Sequence, residues 1–298
     1  MEKTLAIVGA GRVGRALGRR FRELGWKIGA VVTRNEGSAR RAVRFIGAGK
    51  PYAGTTRQIL ASRVILIATP DDEIASVATE LARIGGEELR GMVMLHTSGG
   101  SDASVLKAAK VQGAIVGSMH PLQSFSGVSV PSLEGRVFAV EGDTQAVRVA
   151  RQMARSLGGS AVRIAGEKKA LYHAAAAMAA GHVLAVEEAA TRLLILVGMK
   201  RGEAQRALLP LTRQVLENIE RLGPHSAWTG PLQRGDYKVV KSHQTALRQC
   251  PPEFAEAYEA LNRLSARVLA KDAAGMLAEL GKLSEGKKAR ANAMGGDA

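Results

Sequence analysis

The residues that point most clearly to chemistry stand near the start of the chain, in the run GAGRVG from Gly9 to Gly14. This run follows the apolar segment Leu5–Val8 and opens a stretch whose apolar residues have helical spacing. A strand, a glycine-rich turn and a helix in this order are typical of a dinucleotide-binding site, where the helix N-terminus offers free N–H groups to phosphates. The residues predicted to hold these phosphates are Gly9, Gly11, Arg12, Val13 and Gly14.

The end of the second predicted strand, Ile28–Val32, indicates which dinucleotide would bind. Sites for NAD usually carry an acidic residue about 20 positions after the glycines, where it binds the ribose. Here Thr33 and Arg34 stand at the strand end, and Glu36 comes only afterwards. Because a guanidinium pairs well with phosphate oxygens, Thr33 and Arg34 predict NADP rather than NAD. The alternative is that Arg34 is solvated surface charge.

Polar residues also follow the later strands, and ligands of open α/β sheets bind outside the carboxyl ends of the strands. Thr69 and Pro70 are expected over the adenosine or pyrophosphate, and His96 beside the nicotinamide. The alternatives are that Asp71 or Asp72 caps a helix and that each of the histidines His96 and His120 is structural. The residues expected around a substrate are Ser98, His120 and Gln123. No carboxylate or further histidine stands at ligand spacing from these histidines, so no metal is expected.

Two later segments carry further candidates. Lys169 and His173 are spaced i, i+4 at the start of a predicted helix and therefore share a face. Either one could be the proton donor of a reduction, with His120 and Ser98 polarising the atom that accepts the proton. Farther along, the candidate substrate-binding residues are Arg234, Asp236 and His243. Arg234 could clamp a carboxylate, while Asp236 could instead cap the following helix.

The composition limits the class of protein. The chain has 298 residues, 46% of them hydrophobic and 23% charged, which is ordinary for a globular protein. Its formal charge is +15, but the basic residues are spread along the chain and aromatic residues are only 4%, so nucleic-acid binding is not expected. With a single cysteine, no signal-peptide pattern and no long apolar run, we expect a cytoplasmic protein that does not bind a membrane.

Apolar strand patterns alternate with helical patterns up to about residue 165, which predicts a doubly wound, mostly parallel sheet. From Glu167 to Val197 the sequence reads as one long helix. Only helical patterns follow it, among them Arg201–Leu222 and Tyr237–Leu247. The apolar residues Met178, Val183, Leu184 and Leu193 of the long helix are expected in the core. We therefore predict an α/β domain over 1–165, an all-α domain over 166–284 and a disordered tail over 285–298.

With these residues in view, the chain resembles a Rossmann-like family whose helical C-terminal half is called domain of unknown function 2520. The resemblance rests on motifs in the family's order: GAGRVG, TPDDEI, HTSGG, GSMHPLQSF, Tyr172-His173 with the alanines after it, and TGPLQRGD with His243 after it. The family is similar to other branches of the 6-phosphogluconate dehydrogenase-like superfamily, including ketopantoate and pyrroline-5-carboxylate reductases. In one departure, Gly181 stands where the family pattern has an asparagine, with His182 beside it.

The resemblance implies an NADP-dependent oxidoreductase with a helical dimerisation domain. Its substrate would be a small carboxylated ketone, and the first candidate is 2-dehydropantoate, which is reduced to pantoate in pantothenate biosynthesis. A cyclic-imine reductase of the pyrroline-5-carboxylate type is the alternative enzyme. A protein that binds NADPH as a sensor, without turnover, is the alternative outside enzymology, because a fold alone does not establish catalysis. The long helix is apolar around most of its circumference, which favours a homodimer.

Overall fold

The computed structural model describes residues 2–294, with side chains as far as Leu283. The chain divides into two compact units, Met1–His182 and Val183–Ala298. Each unit is described by itself below.

The N-terminal unit is built on an eight-stranded sheet with the order β3-β2-β1-β4-β5-β6-β7-β8. Strands β1 to β6 are parallel, β7 runs antiparallel to β6, and β8 is parallel to β7. The strands are β1 (Thr4–Val8), β2 (Lys27–Thr33), β3 (Lys50–Ala53), β4 (Val64–Ile67), β5 (Val93–His96), β6 (Ile115–Pro121), β7 (Val137–Gly142) and β8 (Ser160–Arg163).

Helices cover both faces of this sheet, which explains why its central strands are apolar without alternation. Successive side chains of β4 enter different hydrophobic clusters: Leu66 packs with Leu17 and Phe21, whereas Ile65 and Ile67 pack with the other cluster. The helices are α1 (Arg12–Glu23), α2 (Glu36–Ile46), α3 (Asp71–Gly85), α4 (Lys107–Val111), α5 (Thr144–Ser156) and α6 (Lys169–Ala177). The predicted fold class is confirmed for this unit.

One element of this unit, the strand β3, is absent from the sequence prediction. Strand β3 has the sequence KPYA, and a proline usually argues against a strand because it cannot donate to the ladder. Since β3 is the edge strand of the sheet, Pro51 is tolerated there. An edge strand of four residues has too short an apolar pattern to be recognised as a strand from the sequence.

The predicted single helix over Glu167–Val197 is interrupted. A short 3₁₀ turn at Gly166–Lys168 precedes α6, and a π-helical turn at Met178–His182, which contains Gly181, separates α6 from α7 (Val183–Leu196). The compact units divide after His182, later than the predicted boundary after residue 165. Helix α6 belongs to the N-terminal unit because Lys169 is bonded to Ser98 and Ser118 there.

In the C-terminal unit every regular element that the structure describes is a helix, as predicted. After α7 these are α8 (Arg201–Leu222), α9 (Pro224–Ala227), α10 (Tyr237–Leu247), α11 (Pro252–Leu269) and α12 (Ala273–Met294). Helix α12 runs to Met294, so the first part of the tail predicted to be disordered is helical, and 295–298 lie outside the described residues. None of the described helices is long and apolar enough to cross a membrane.

The prediction that the apolar residues of the long helix lie in a core is wrong for this single chain. Met178, Val183 and Leu184 are 51%, 47% and 71% exposed, and Leu193 is only partly buried. Their apolar character therefore does not arise from packing within one chain.

Candidate active site

The glycine turn after β1 has the geometry that its sequence predicts. Gly9 has φ +86°, and a Cβ there would lie 2.5 Å from the backbone nitrogen of Thr69. A Cβ on Gly14 would lie 2.2 Å from the carbonyl oxygen of Gly9, so the helix could not pack this closely with a larger residue. A Cβ on Gly11, in contrast, would meet nothing within 4 Å. The turn is closed against the protein at Gly9 and Gly14 and open at Gly11.

A cavity of about 390 Å³ lies over this turn and is called the glycine-loop cavity here. Its wall contains most of the predicted cofactor residues, namely Gly9, Gly11, Thr33, Arg34, Thr69 and Pro70. Of the other four, Gly14 packs beneath the turn, Val13 packs on the core, Arg12 is exposed, and His96 is buried outside this wall. The structure therefore brings the ends of β1, β2 and β4 together around one space.

The groups that face this space suit the phosphates of a dinucleotide. The first backbone bond of α1 is donated by Arg15 to Gly11, which leaves the N–H groups of the three preceding residues without an acceptor in the helix. The hydroxyl of Thr69 is buried and has no hydrogen-bond partner in the described part of the chain. Free N–H groups at a helix N-terminus bind anions, so the residues present fit an NADP pyrophosphate.

Arg34 stands at the rim of the glycine-loop cavity. Its guanidinium is 86% exposed and lies 3.5 Å from the carboxylate of Glu73, which also lines the cavity. Nearby, the Thr33 hydroxyl donates to the Asn35 carbonyl (2.8 Å). A contact this exposed is worth little, so Arg34 can turn to a stronger anion such as a 2′-phosphate.

His96, which was predicted to contact the cofactor, is fully buried instead. The Ser98 N–H donates to its Nδ1 (3.2 Å), and its Nε2 lies 3.1 Å from the carbonyl oxygen of Asp102. These partners place the ring proton on Nε2. Burial and the nearby ammonium of Lys169 together lower the pKa of His96 to about 4, so the ring is neutral. Both nitrogens are used within the protein, which makes His96 a structural residue.

Ser98 is also committed to the fold. Its hydroxyl donates to Asp71 Oδ2 (2.6 Å) and accepts from the N–H groups of Gly100 and Ser101. A serine hydroxyl has one proton, so none remains to polarise a substrate as predicted. Asp71 is the first residue of α3 and Pro70 is its N-cap, so neither Asp71 nor Asp72 caps this helix.

Lys169 lies beneath the site rather than on its wall. It is 1% exposed, and its Nζ donates to the Ser98 carbonyl and the Ser118 hydroxyl, both at 2.8 Å. Burial lowers its pKa to about 8, although Glu141 and two aspartates act in the opposite direction. This burial favours a positioning role, in which Lys169 ties α6 to the ends of β5 and β6, over the predicted role as proton donor.

A second cavity, of about 610 Å³, lies at the end of β6 and is called the His120 cavity here. Its wall is formed by His120, Leu122, Gln123, Ser124, Arg136, Tyr172, His173 and alanines between Ala175 and Ala180. His120 Nδ1 lies 2.8 Å from the Tyr172 hydroxyl, and the His173 ring meets the His120 ring edge-on at 5.7 Å between centroids. The three predicted residues His120, Gln123 and His173 are thus brought together.

The electrostatics of the site keep His120 and Tyr172 uncharged at neutral pH. Burial lowers the pKa of His120 to about 4, with smaller contributions from the charges of His173 and Lys169. Burial raises the pKa of Tyr172. At neutral pH a neutral imidazole is therefore hydrogen-bonded to a protonated phenol. A Cβ on Gly99 would lie 2.5 Å from His173 Cδ2 and 2.9 Å from His120 Nε2, so only glycine fits beside these rings.

The strand order relates the two cavities to each other. Strand β5 lies between β4 and β6, so the loop 97–100 that follows it lies between the glycine-loop cavity and the His120 cavity. Neighbouring strands are about 4.8 Å apart, which puts the ends of β4 and β6 on the order of 10 Å apart. A dinucleotide whose pyrophosphate lies at Gly11 is long enough to bring its nicotinamide to this loop.

The remaining predicted residues belong to the C-terminal unit. Arg234 Nε donates to Asp236 Oδ2 (2.9 Å), and its Nη2 lies 2.8 Å from the same oxygen in an ion pair. Asp236 occupies the N-cap position of α10 but makes no capping bond, because its carboxylate is held by Arg234. His243 Nδ1 lies 2.8 Å from the Tyr258 hydroxyl. Arg234 could clamp a substrate carboxylate only by releasing Asp236.

Tyr172 belongs to the Tyr172-His173 motif, but the sequence analysis predicts no role for it. The spacing held a usable signal, because Lys169, Tyr172 and His173 lie at positions i, i+3 and i+4 of one helix. The partners of Lys169 gave no such signal, since Ser98 and Ser118 are far away in sequence. In the described residues no group of three or more His, Cys, Asp or Glu side chains is placed to hold a metal ion.

Comparisons with known proteins agree with this architecture. Residues 2–121 match the family model of the Rossmann-like domain, and residues 136–264 match that of a domain of unknown function (DUF2520). No curated protein matches the chain.

Several solved structures are similar to it. BF3122 from Bacteroides fragilis, named as a candidate NADP oxidoreductase, is 22% identical with a TM-score of 0.73, over 88% of this chain and 97% of that one. TM1727 from Thermotoga maritima is 24% identical with a TM-score of 0.65, over 95% of this chain and 99% of that one. A pyrroline-5-carboxylate reductase from Coxiella burnetii is 13% identical with a TM-score of 0.58, over 91% of this chain and 100% of that one.

These identities are low, so the similar structures establish the fold and not the activity. The two family models match the two halves of the chain in the order that the motifs predict. The chain belongs to the family of Rossmann-like proteins that carry a C-terminal DUF2520 domain.

Proposed function

We propose that the protein is an NADP-dependent oxidoreductase that reduces a small carboxylated ketone or imine. The observation that carries this proposal is the pair of cavities on either side of the loop after β5. One offers phosphate-binding groups and the other a histidine–tyrosine pair. The similarity to BF3122, named as a candidate NADP oxidoreductase, and to a pyrroline-5-carboxylate reductase supports the proposal.

When bound, NADPH supplies the hydride. The N–H groups at the start of α1 and the Thr69 hydroxyl would hold its pyrophosphate, and Arg34 its 2′-phosphate. Gly11 leaves room for the phosphates because it has no side chain. The loop 97–100, held by the hydrogen bonds of His96, Ser98 and Lys169, would give the nicotinamide ring a rigid surface.

His120 is the proton donor in this proposal, with Tyr172 as its relay. With the Tyr172 hydroxyl donating to Nδ1, the neutral imidazole carries its proton on Nε2, at the edge of the ring beside Gly99. As hydride adds to the sp² carbon, the substrate oxygen or nitrogen takes the proton from Nε2. Nδ1 takes the proton of Tyr172; solvent then protonates Nε2, and Nδ1 returns its proton to the Tyr172 oxygen, which restores the starting pair. His173 lines the same cavity and is the second candidate donor.

The substrate is proposed only as a class. Among carboxylated ketones the first candidate remains 2-dehydropantoate, and among imines it is pyrroline-5-carboxylate. Each has a small carbon skeleton that suits a cavity of about 610 Å³.

The test supplies NADPH with a panel of 2-oxo acids and cyclic imines and monitors the consumption of NADPH by its absorbance. We expect steady oxidation with at least one compound and none with Gly11→Asp, whose side chain would occupy the space that the pyrophosphate needs. Tight NADPH binding by the wild type without oxidation by any compound would instead favour an NADPH sensor.

A further inference from the structure

Arg136 lies at the edge of the His120 cavity, and neither the cofactor binding nor the proton transfer proposed above uses it. It directly precedes β7, whose antiparallel pairing with β6 sets Phe138 opposite Pro121. The backbone fixes this position, since the Arg136 N–H donates to Leu133 and its carbonyl accepts from Ser160. The Leu122 N–H donates to the Val137 carbonyl on the same stretch. Arg136 is therefore held beside the strand end that carries His120.

The side chain of Arg136 is exposed and has no hydrogen bond or ion pair with any residue that the structure describes. No carboxylate is among the residues that form the wall of the His120 cavity. The cavity thus combines one permanent positive charge with the polar side chains of Gln123 and Ser124 and a floor of alanines. An unpaired guanidinium beside a partly apolar cavity is suited to a small anion.

Arg234 has a different setting. Its guanidinium already makes two contacts with Asp236, so a substrate carboxylate would have to displace a charged partner. Arg136 has no partner to displace. A guanidinium can bind a carboxylate through two parallel N–H bonds, which fixes the orientation of the substrate as well as adding affinity.

We propose that Arg136 binds the substrate carboxylate in the His120 cavity and makes the enzyme select anionic over neutral ketones and imines. This inference rests on the proposed reductase function. A carboxylate on Arg136 would hold the adjacent carbonyl or imine group in the cavity that His120 and Tyr172 line. Arg136 is then a binding and specificity residue, while proton transfer stays with His120.

The test uses calorimetric titration of a panel of 2-oxo acids, and of the methyl ester of each acid, into the protein with and without NADP⁺. Wild type should bind at least one acid more tightly than its ester. Arg136→Gln should weaken binding of that acid on the order of 10- to 100-fold, the scale of a charged hydrogen bond, and leave the ester unchanged. Arg136→Lys should keep part of the preference, since it keeps the charge but not the paired geometry.

The matched control is Arg151→Gln, which removes an equally exposed charge of the same unit, in α5 and outside this cavity. It should leave the acid affinity unchanged, and all three variants should bind NADPH like wild type. The proposal is overturned if no acid binds better than its ester, or if Arg136→Gln weakens acid and ester alike. If an acid binds through Arg136 but no NADPH is oxidised, the reductase function is contradicted, whereas the binding role of Arg136 stands.

Discussion

At the scale of single residues, the account depends on the hydrogen bond between His120 and Tyr172. Tyr172→Phe keeps the ring but removes the proton that the relay passes to Nδ1. We expect kcat to fall on the order of 10-fold or more, and by about 100-fold or more for His120→Ala, which removes the donor. NADPH affinity should stay within a few-fold in both variants, and fluorescence titration checks this. Unchanged turnover in both variants would mean that these residues are structural.

Arg34 makes a separate prediction about the choice of cofactor. Arg34→Ala should weaken NADPH binding by about 1.5–3 kcal/mol, the range for hydrogen bonds to charged groups, and leave NADH binding unchanged. Glu73→Gln is the matched control, because it removes the partner that competes for Arg34 and should preserve or raise NADPH affinity. Titration of both cofactors decides this point. Equal affinity of wild type for NADPH and NADH would refute it.

Residue roles were predictable from sequence where the backbone itself sets the requirement. Gly9, Gly11 and Gly14 follow from the shape of the turn: a Cβ would collide with protein atoms at Gly9 and Gly14 and would meet nothing within 4 Å at Gly11. The roles of His96, Ser98 and Lys169 were not predictable, because each depends on partners from other strands. Ser98 meets Asp71 and Lys169 across gaps of 27 and 71 residues. A local sequence pattern does not show that residues so far away in the chain will bury a side chain.

At the scale of elements, the buried imidazole of His96 links the end of β5 to the Asp102 segment and should make stability depend on pH. Its pKa is lowered from 6.5 to about 4. Between these values the unfolded chain binds more protons than the native protein, so the free energy of unfolding falls as the pH falls. Above 6.5 this contribution is fully present, and below about 4 it is lost.

His96→Gln removes this titration while keeping a donor for the Asp102 carbonyl. Between about pH 7 and pH 5, wild type should therefore lose roughly 2 kcal/mol more of unfolding free energy than the variant. Urea denaturation at the two pH values measures the difference. His120 titrates in both proteins and cancels in the comparison. A variant that loses as much stability as wild type would contradict the assignment of His96 as buried and neutral.

Among the elements, the central strands and the helices α8 and α10 could be predicted because their apolar periodicity is strong. The structure begins and ends α8 at Arg201 and Leu222, where the pattern places them. The edge strand β3 and the π-helical turn Met178–His182 could not be predicted. A four-residue edge strand buries few apolar side chains. A single π-helical turn adds one residue to the helical repeat, and in an alanine-rich segment this hardly changes the apolar pattern.

At the scale of the whole molecule, α7 and α8 expose many large apolar side chains. They are Val183, Leu184, Val186, Ile195, Leu196, Leu209, Leu211, Val215, Leu216, Ile219 and Leu222. Monomeric proteins rarely expose so much apolar surface, and the sequence is apolar around most of α7. We propose that a second copy of the chain covers these helices in a homodimer.

Light scattering at micromolar concentration should therefore give twice the chain mass of 31.4 kDa. Leu184→Asp with Leu211→Asp should shift the protein towards monomer, because each places a charge on the surface that the second copy would bury. Val111→Asp is the control, since Val111 is 83% exposed in the N-terminal unit. A monomeric wild type would refute the dimer.

The proposed function depends on hydride transfer from NADPH to carbon, and deuterium labelling follows that hydride into the product. NADPH labelled with deuterium at C4 of the nicotinamide is incubated with wild type and each candidate 2-oxo acid or imine, and the product is examined by mass spectrometry and NMR. The account predicts one deuterium at the former carbonyl or imine carbon from one face of the ring, and none with Gly11→Asp. A reduced product without that deuterium, or no reduced product from any candidate, would contradict it.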